Sequence, residues 1–530
     1  MNMRLLFAAV IAALPAFACA APPKDFDARV TAVMKASEVP GAAVAIVENG
    51  KVTLARGYGV KKLGSPEPVD ADTLFQIGST SKAFTVADLA ILVDEGKIGW
   101  DDRVIDHLPW FRMYDSWVTR ELTIRDLLTH RAGLGKGQGD LLFVPFNNLG
   151  RADSVRRLQY LKPVTSFRST FAYDNVLYMV AGQMIEEITG ETWEKFTEKR
   201  IFKPIGMATS VTNDVDRLAA PNRAFPHGRL GELRGVGAQQ VFDEQKVKLG
   251  ANCGPAGAIA AGANDMARWL EVQLASGQIP GSEKRLFSEA SSAEMFQPVM
   301  PVPLTPLPPS LADAAPQFRG YALGWGVQDY RGHKVYSHGG GTQGFRTVVV
   351  LIPEKKVGFA IVNNSEDNEF VPGLEYELLD HYLGLPKHDW PKAFKELFDQ
   401  RNAGGLEAQR AASAARPESK PSLPAAGYAG HYADPWYGPI DVVESNGQLS
   451  IDFKQTPGMV APLEHWAYDT FVARWPDPLI EPAYVTFALD ASGKPSRITM
   501  KAYSPVADFS FDYPDLDITP VAAAAAPATE

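Results

Sequence analysis

The apolar positions of the chain change texture several times along its length. From Pro40 to Val60, "PGAAVAIVENGKVTLARGYGV" is two β-rich runs around Asn49-Gly50, a strong hairpin signal. Between Thr73 and about Ser291 the spacing turns helical; "LTIRDLLTH" and "DNVLYMVAGQMIEEITG" carry apolar residues three and four apart, and the second closes at a glycine. "MPVPLTPLPPSLADAAP", residues 300–316, holds too much proline for a helix or central strand and reads as a loop, either a lid or a passive connector. Strands resume in "YALGWGVQDY", "HKVYSHGGG" and "FRTVVVLIPEKKVGFAIVNN" before a helix around "GLEYELLDHYLG". One sheet is therefore expected to take strands from both ends of residues 21–386 with a helical layer between them in sequence, an α/β (α+β) arrangement. Residues 387–424, charged, Ala-rich and ending in prolines, read as a helical stub and linker. From 425 to 516, short alternating runs such as "IDVVE", "LSIDF" and "AYVTFAL" predict a small antiparallel barrel or sandwich, and 517–530 a flexible tail.

One position breaks the helical pattern. In "FQIGSTSKAFTVADLAILVDEGK", steps of four and three back from Val93 give Leu89, Val86, Lys82 and Ser79, which puts an ammonium in the apolar stripe. A lysine stripped of water there loses basicity, toward a value useful for taking a proton from the serine one turn away. The bland alternative is that Lys82 snorkels outward and Ser79 caps the helix.

Composition narrows the setting. The 530 residues carry 52 Lys plus Arg against 62 Asp plus Glu, a net charge of −10, with no basic run suited to phosphates, so nucleic acid is not an expected partner. "MNMRLLFAAVIAALPAFACA" has a basic start, a short apolar stretch and Ala18-Cys19-Ala20, an export signal cleaved after Ala20, which implies a periplasmic or secreted protein. No later run approaches the roughly 20 apolar residues of a membrane span. Cleavage leaves Cys253 alone, a small packing residue in a Gly- and Ala-rich segment.

Further along come Tyr173 and Asn175 in "FAYDNVLYMV" and His338 with three glycines in "YSHGGGTQGF". Ser79-x-x-Lys82, Tyr173-x-Asn175 and His338-x-Gly340, in this order, resemble the motifs of the class C β-lactamase-related serine hydrolases, a β-lactamase/transpeptidase-like fold. "IFKPIGM", "AGANDMARWL" and "YALGWGV" resemble further landmarks of that family, and 425–516 resembles the lipocalin-like barrel appended to some of its peptide-acting members.

The resemblance implies that Ser79 forms an acyl-enzyme while Lys82 and Tyr173 share proton handling, with the acylation base left open between them. It implies an oxyanion hole from the backbone N–H groups of Ser79 and Gly341, beside Gly340. Asn175 is expected to hold the substrate amide or the lysine, and His338 to hydrogen-bond the tyrosine or the leaving group. Penicillin-recognising members carry Lys-Thr-Gly where this chain has His338-Gly339-Gly340. Losing that permanent cation should weaken recognition of a β-lactam carboxylate, unless Arg346 faces the groove and replaces it. The substrates implied are short or D-residue-containing peptides, including linearised cyclic peptides such as microcystin. The alternatives are a carboxylesterase acting on small acyl esters, and a penicillin-binding peptidoglycan sensor or weak β-lactamase. No cofactor or metal is implied, and nothing in the sequence bears on oligomeric state. Trp436, Tyr437, Trp466, Phe471 and Trp475 either line a substrate groove or fill the barrel.

Overall fold

The computed structural model describes residues 21–521; the expected export signal and the end of the expected tail lie outside them. The first domain runs α1 (Phe26–Ser37), β1 (Gly41–Glu48), β2 (Lys51–Gly59), α2 (Lys82–Asp94), α3 (Val176–Thr189), α4 (Ala263–Leu274), β3 (Met300–Pro301), β4 (Arg319–Tyr321), β5 (Gly326–Tyr330), β6 (His333–Thr342), β7 (Phe345–Ile352), β8 (Val357–Asn363), α5 (Phe370–Leu383) and α6 (Trp390–Ala414), with shorter elements between. Asn49 and Gly50, at φ 50° and 72°, close the β1–β2 hairpin as expected of Asn-Gly. The antiparallel sheet has the order β2-β1-β8-β7-β6-β5-β4-β3, so the N-terminal hairpin pairs with a strand from the far end of the domain.

Both faces of this sheet are covered, which is why β1, β7 and β8 read as nearly continuous apolar runs. Ala42, Val44, Ile46, Val350 and Phe359 pack toward α1 and α5; Ala43, Ala45, Val47, Val349 and Val362 face the helical region. There Phe84 of α2 stacks on Trp269 of α4 at 3.9 Å between ring centroids. α2 has no polar face: from Lys82 to Leu92 every residue is buried.

Of the two readings left open for residues 300–316, Leu311 and Ala314, buried in a short 3-10 turn on the α1–α5 side of the sheet, support the connector. Two expectations change. The stub at 387–424 is a 25-residue helix, α6, whose Trp390 and Ala393 are buried. Only about ten residues after it connect the domains, and they are tied down, Arg416 donating to the carbonyls of His465 and Trp466. Residues 517–520, expected as the start of the tail, instead belong to the second domain, since Thr519 and Pro520 pair with Ala433 and Tyr432.

That domain is an eight-stranded antiparallel sheet whose outer strands are Pro495–Ala502 and Thr519–Pro520, nearly closed by Ile498 N–H donating to Ile518 O at 2.8 Å. Trp436, Tyr437, Phe471 and Trp475 are buried, while Trp466 lies half-exposed against Tyr484 and Tyr503. The apolar contacts continue from the helical region into the barrel, so the two domains share one core. Arg157 fastens the seam by donating to the Trp436 and Tyr437 carbonyls. Among the described residues no helix is long and apolar enough to cross a membrane.

Candidate active site

Ser79 sits in a 3-10 turn, Gly78–Ser81, that runs straight into α2 and lines a cleft of about 790 Å³. Lys82, fully buried one turn on, donates to Ser79 Oγ at 3.0 Å, Asn175 Oδ1 at 2.7 Å and Ala256 O at 2.9 Å. Burial pushes its pKa down to about 8, with Cys253, Asp140 and Asp174 pulling it back up. Loss of one proton leaves a lone pair 3.0 Å from the serine oxygen.

Tyr173 and Asn175 precede α3, on the opposite wall. Asn175 holds the lysine: its carbonyl oxygen accepts from Lys82, and its amide nitrogen donates to Asp140 Oδ2 at 2.9 Å. The Tyr173 ring lies 4.9 Å from Lys82 Nζ. Burial drives the Tyr173 phenol well above its ordinary value, which the neighbouring Ser79 hydroxyl only partly offsets.

The third wall is the end of β6. Its pairing with β5 stops at Ser337, and the following glycines run beside the Ser79 turn. The approach is close enough to require glycine on both sides. Gly78 has φ +53° and a Cβ there would meet Gly341 N at 2.7 Å; a Cβ on Gly340 would meet Ile77 O at 2.0 Å. Gly339, Gly340 and Gly341 all line the cleft with Ser79.

His338 departs from expectation. It lies 6.2 Å from the Tyr173 ring between centroids but bonds Tyr321, not Tyr173. A carbonyl only accepts, so Nδ1 carries the proton it donates to Gly339 O at 2.7 Å; neutral Nε2 then accepts from the Tyr321 hydroxyl at 2.8 Å. Burial, and secondarily Lys82, push the imidazole down to about 3. Side chains alternate along a strand, and with Gly339 and Gly341 exposed, His338 points to the buried side. Arg346 does line the cleft, its guanidinium held by the carbonyls of Thr342 and Phe345 and by Asn368.

Sequence reasoning missed several neighbours. His130 lies tilted against the Tyr173 ring at 4.3 Å, and Tyr321 anchors His338. Asp140 is buried beneath Asn175. The barrel also enters the site: Phe509 stands edge-on to Tyr173 at 6.2 Å under the Lys136 ammonium, and Ser510 Oγ donates to Asp140 Oδ2 at 2.7 Å. Asp512 seals this contact by accepting from the Gly139 and Leu141 N–H groups. Tyr321 ends β4 and the others lie in short turns and loops; no spacing or periodicity ties any of them to Ser79.

A family model described as beta-lactamase matches residues 26–383, and one described as a domain of unknown function (DUF3471) matches 414–520. The unguisins hydrolase ungD of Aspergillus violaceofuscus is 30% identical over 477 residues, covering 85% of this chain and 82% of that protein. Penicillin-binding protein 4 of Amycolatopsis lactamdurans is 30% identical over 368 residues, covering 67% of this chain and 89% of that protein. A solved structure, the octameric penicillin-binding protein homologue from Pyrococcus abyssi, matches with a TM-score of 0.57 at 19% identity, over 90% of this chain and 98% of that one, a likeness of fold.

Proposed function

The chain belongs to the beta-lactamase family, and on that premise we propose that it is a serine hydrolase that forms an acyl-enzyme on Ser79 and cleaves amide bonds in short peptides, D-residue-containing and linearised cyclic ones among them. The observation that carries this reading is the buried Lys82 ammonium 3.0 Å from Ser79 Oγ. Lys82 is the base, because burial moves its pKa down to about 8 and that of Tyr173 upward. As the Ser79 oxygen bonds the substrate carbonyl carbon, its proton passes to Lys82 and the negative charge forms on the carbonyl oxygen, facing the N–H groups of Ser79 and Gly341. Breakdown expels the amine, which takes a proton from Lys82 through the Tyr173 hydroxyl. Water then repeats the sequence on the acyl-serine ester.

A hydrolase that uses both domains is supported by the unguisins hydrolase, whose alignment runs across both, and by a cleft roofed by the barrel, with room for more than a small ester. Penicillin recognition is disfavoured by a neutral His338 turned from the cleft and by Gly339, which offers no hydroxyl. Arg346 is the cation we assign to a substrate carboxylate. Export also belongs to the proposal, and a mature protein beginning at Ala21 in the periplasm or medium would test it. Turnover of the purified enzyme on D- and L-amino-acid amides, p-nitrophenyl esters and a chromogenic cephalosporin tests the chemistry. Amide hydrolysis lost in Ser79→Ala supports the reading, whereas turnover of esters alone replaces it with a carboxylesterase.

A further inference from the structure

Resting on Ser79 and Lys82 as the reacting pair, we propose that Ser510, carried by the barrel, is a positioning residue for the lysine, acting through Asp140 and Asn175, so that the catalytic apparatus spans both domains. The contacts form an unbroken chain: Ser510 Oγ donates to Asp140 Oδ2 at 2.7 Å, Asn175 Nδ2 donates to the same oxygen at 2.9 Å, and Asn175 Oδ1 accepts from Lys82 Nζ at 2.7 Å.

An asparagine amide has a donor end and an acceptor end, and which end faces Lys82 depends on what Asp140 offers the other. An Asp140 oxygen that only accepts turns the Asn175 nitrogen toward itself and leaves Oδ1 for the lysine. A protonated Asp140 offers a donor instead, permitting the amide to flip and present N–H to the lysine's lone pair. Burial favours that protonated form by driving the Asp140 carboxyl upward; the hydrogen bonds from Ser510 and Asn175 oppose it. Asp140 Oδ1 has no partner among the described residues, so these two donations to Oδ2 carry the weight. Gly139 and Leu141, on either side of Asp140, are clamped by Asp512, and Gly137 leaves room for the Phe509 backbone, its own Cβ position lying 2.7 Å from Phe509 O. This recess fixes Ser510 over one oxygen.

The sign of the effect follows from the charges. Around Lys82 stand Asp140, Cys253, Tyr173, Asp174, Tyr178 and His338; Asp508 and Asp512 act in turn on Asp140. Removing the Ser510 hydroxyl raises the Asp140 pKa further, takes negative charge from beside the ammonium and lowers the lysine's pKa.

The test is the rate of Ser79 labelling by a small fluorophosphonate, followed against pH in the full-length protein, wild type and Ser510→Ala, with Ser510→Thr as the hydroxyl-retaining rescue. Ser510→Ala should label about 10- to 100-fold more slowly, as for loss of a hydrogen bond to a charged group, with the midpoint of its rise moved to lower pH, and Ser510→Thr should restore both. Equal rates and profiles in wild type and Ser510→Ala overturn the relay while leaving the hydrolase reading intact. So does a defect seen only with bulky peptides, which makes Ser510 a substrate contact. Failure of wild type to label at Ser79 overturns the hydrolase reading itself.

Discussion

Gly340→Ala should separate the nucleophile from the strand proposed to complete its oxyanion hole. A Cβ at that position lies 2.0 Å from Ile77 O and 3.2 Å from Ser79 N. Carbon–oxygen contacts settle near 3.3 Å, so the turn and β6 must part by roughly 1.3 Å. Displacement of about 1 Å at a reacting centre costs on the order of 100-fold, and overpacking of this kind destabilises by about 1–3 kcal/mol. Gly339→Ala is the control, because its Cβ faces the cleft and meets Thr347 O at an ordinary 3.8 Å. The assay is the second-order rate of labelling by a small fluorophosphonate, which avoids substrate contacts with the new methyl, read beside the melting temperature. Gly340→Ala should label at least about 100-fold more slowly while still folded, and Gly339→Ala within about twofold of wild type. A Gly340→Ala enzyme as fast as wild type would mean that β6 does not supply the oxyanion donor.

The acylation rate should rise about tenfold between pH 7 and pH 9, because a Lys82 with a pKa of about 8 goes from roughly one-tenth to nine-tenths neutral; a rate flat over that interval removes Lys82 as the base. The same profile should show no inflection between pH 5.5 and 7.5 from His338, held neutral down to about 3. His338→Lys should lower the melting temperature without speeding acylation by penicillins, since it buries an ammonium away from the cleft; faster penicillin acylation would return position 338 to the substrate. Tyr173→Phe should slow acylation by about 100- to 10,000-fold, and near-wild-type rates would take its hydroxyl out of the proton path. Deleting residues 415–530 should give aggregated protein, because the domains share one core; a soluble monomer that labels at the wild-type rate would contradict both the shared core and the role of Ser510.

The legible parts of this molecule were those with a period or a spacing. The hairpin follows from its Asn49-Gly50 turn, the sheet drawn from both ends of the first domain from short, nearly continuous apolar runs, the strands of the barrel from a period of two, and Ser79 with Lys82 from a helical turn. α6 reads as a stub because Gly404-Gly405 interrupts the helical pattern and prolines close the segment. Gly405 is instead a packing position, where a Cβ would meet Val506 of the barrel at 2.9 Å. Residues 300–316 read only as a loop because proline masks the single turn that buries Leu311. His338 was assigned to the cleft by its place in a motif, yet the adjacent glycines carry the cleft surface while the imidazole turns to Tyr321. Asp140 and Ser510 lie 370 residues apart, and their contact depends on how two domains pack, information that no local pattern contains.

Intact mass and peptide mapping after incubation with a fluorophosphonate test the central claim most directly. Wild-type protein should gain one adduct, located on Ser79, and Ser79→Ala, which removes only a hydroxyl, should remain folded and gain none. An adduct of equal extent on Ser79→Ala, or none on the wild type, would contradict the assignment of Ser79 as the nucleophile.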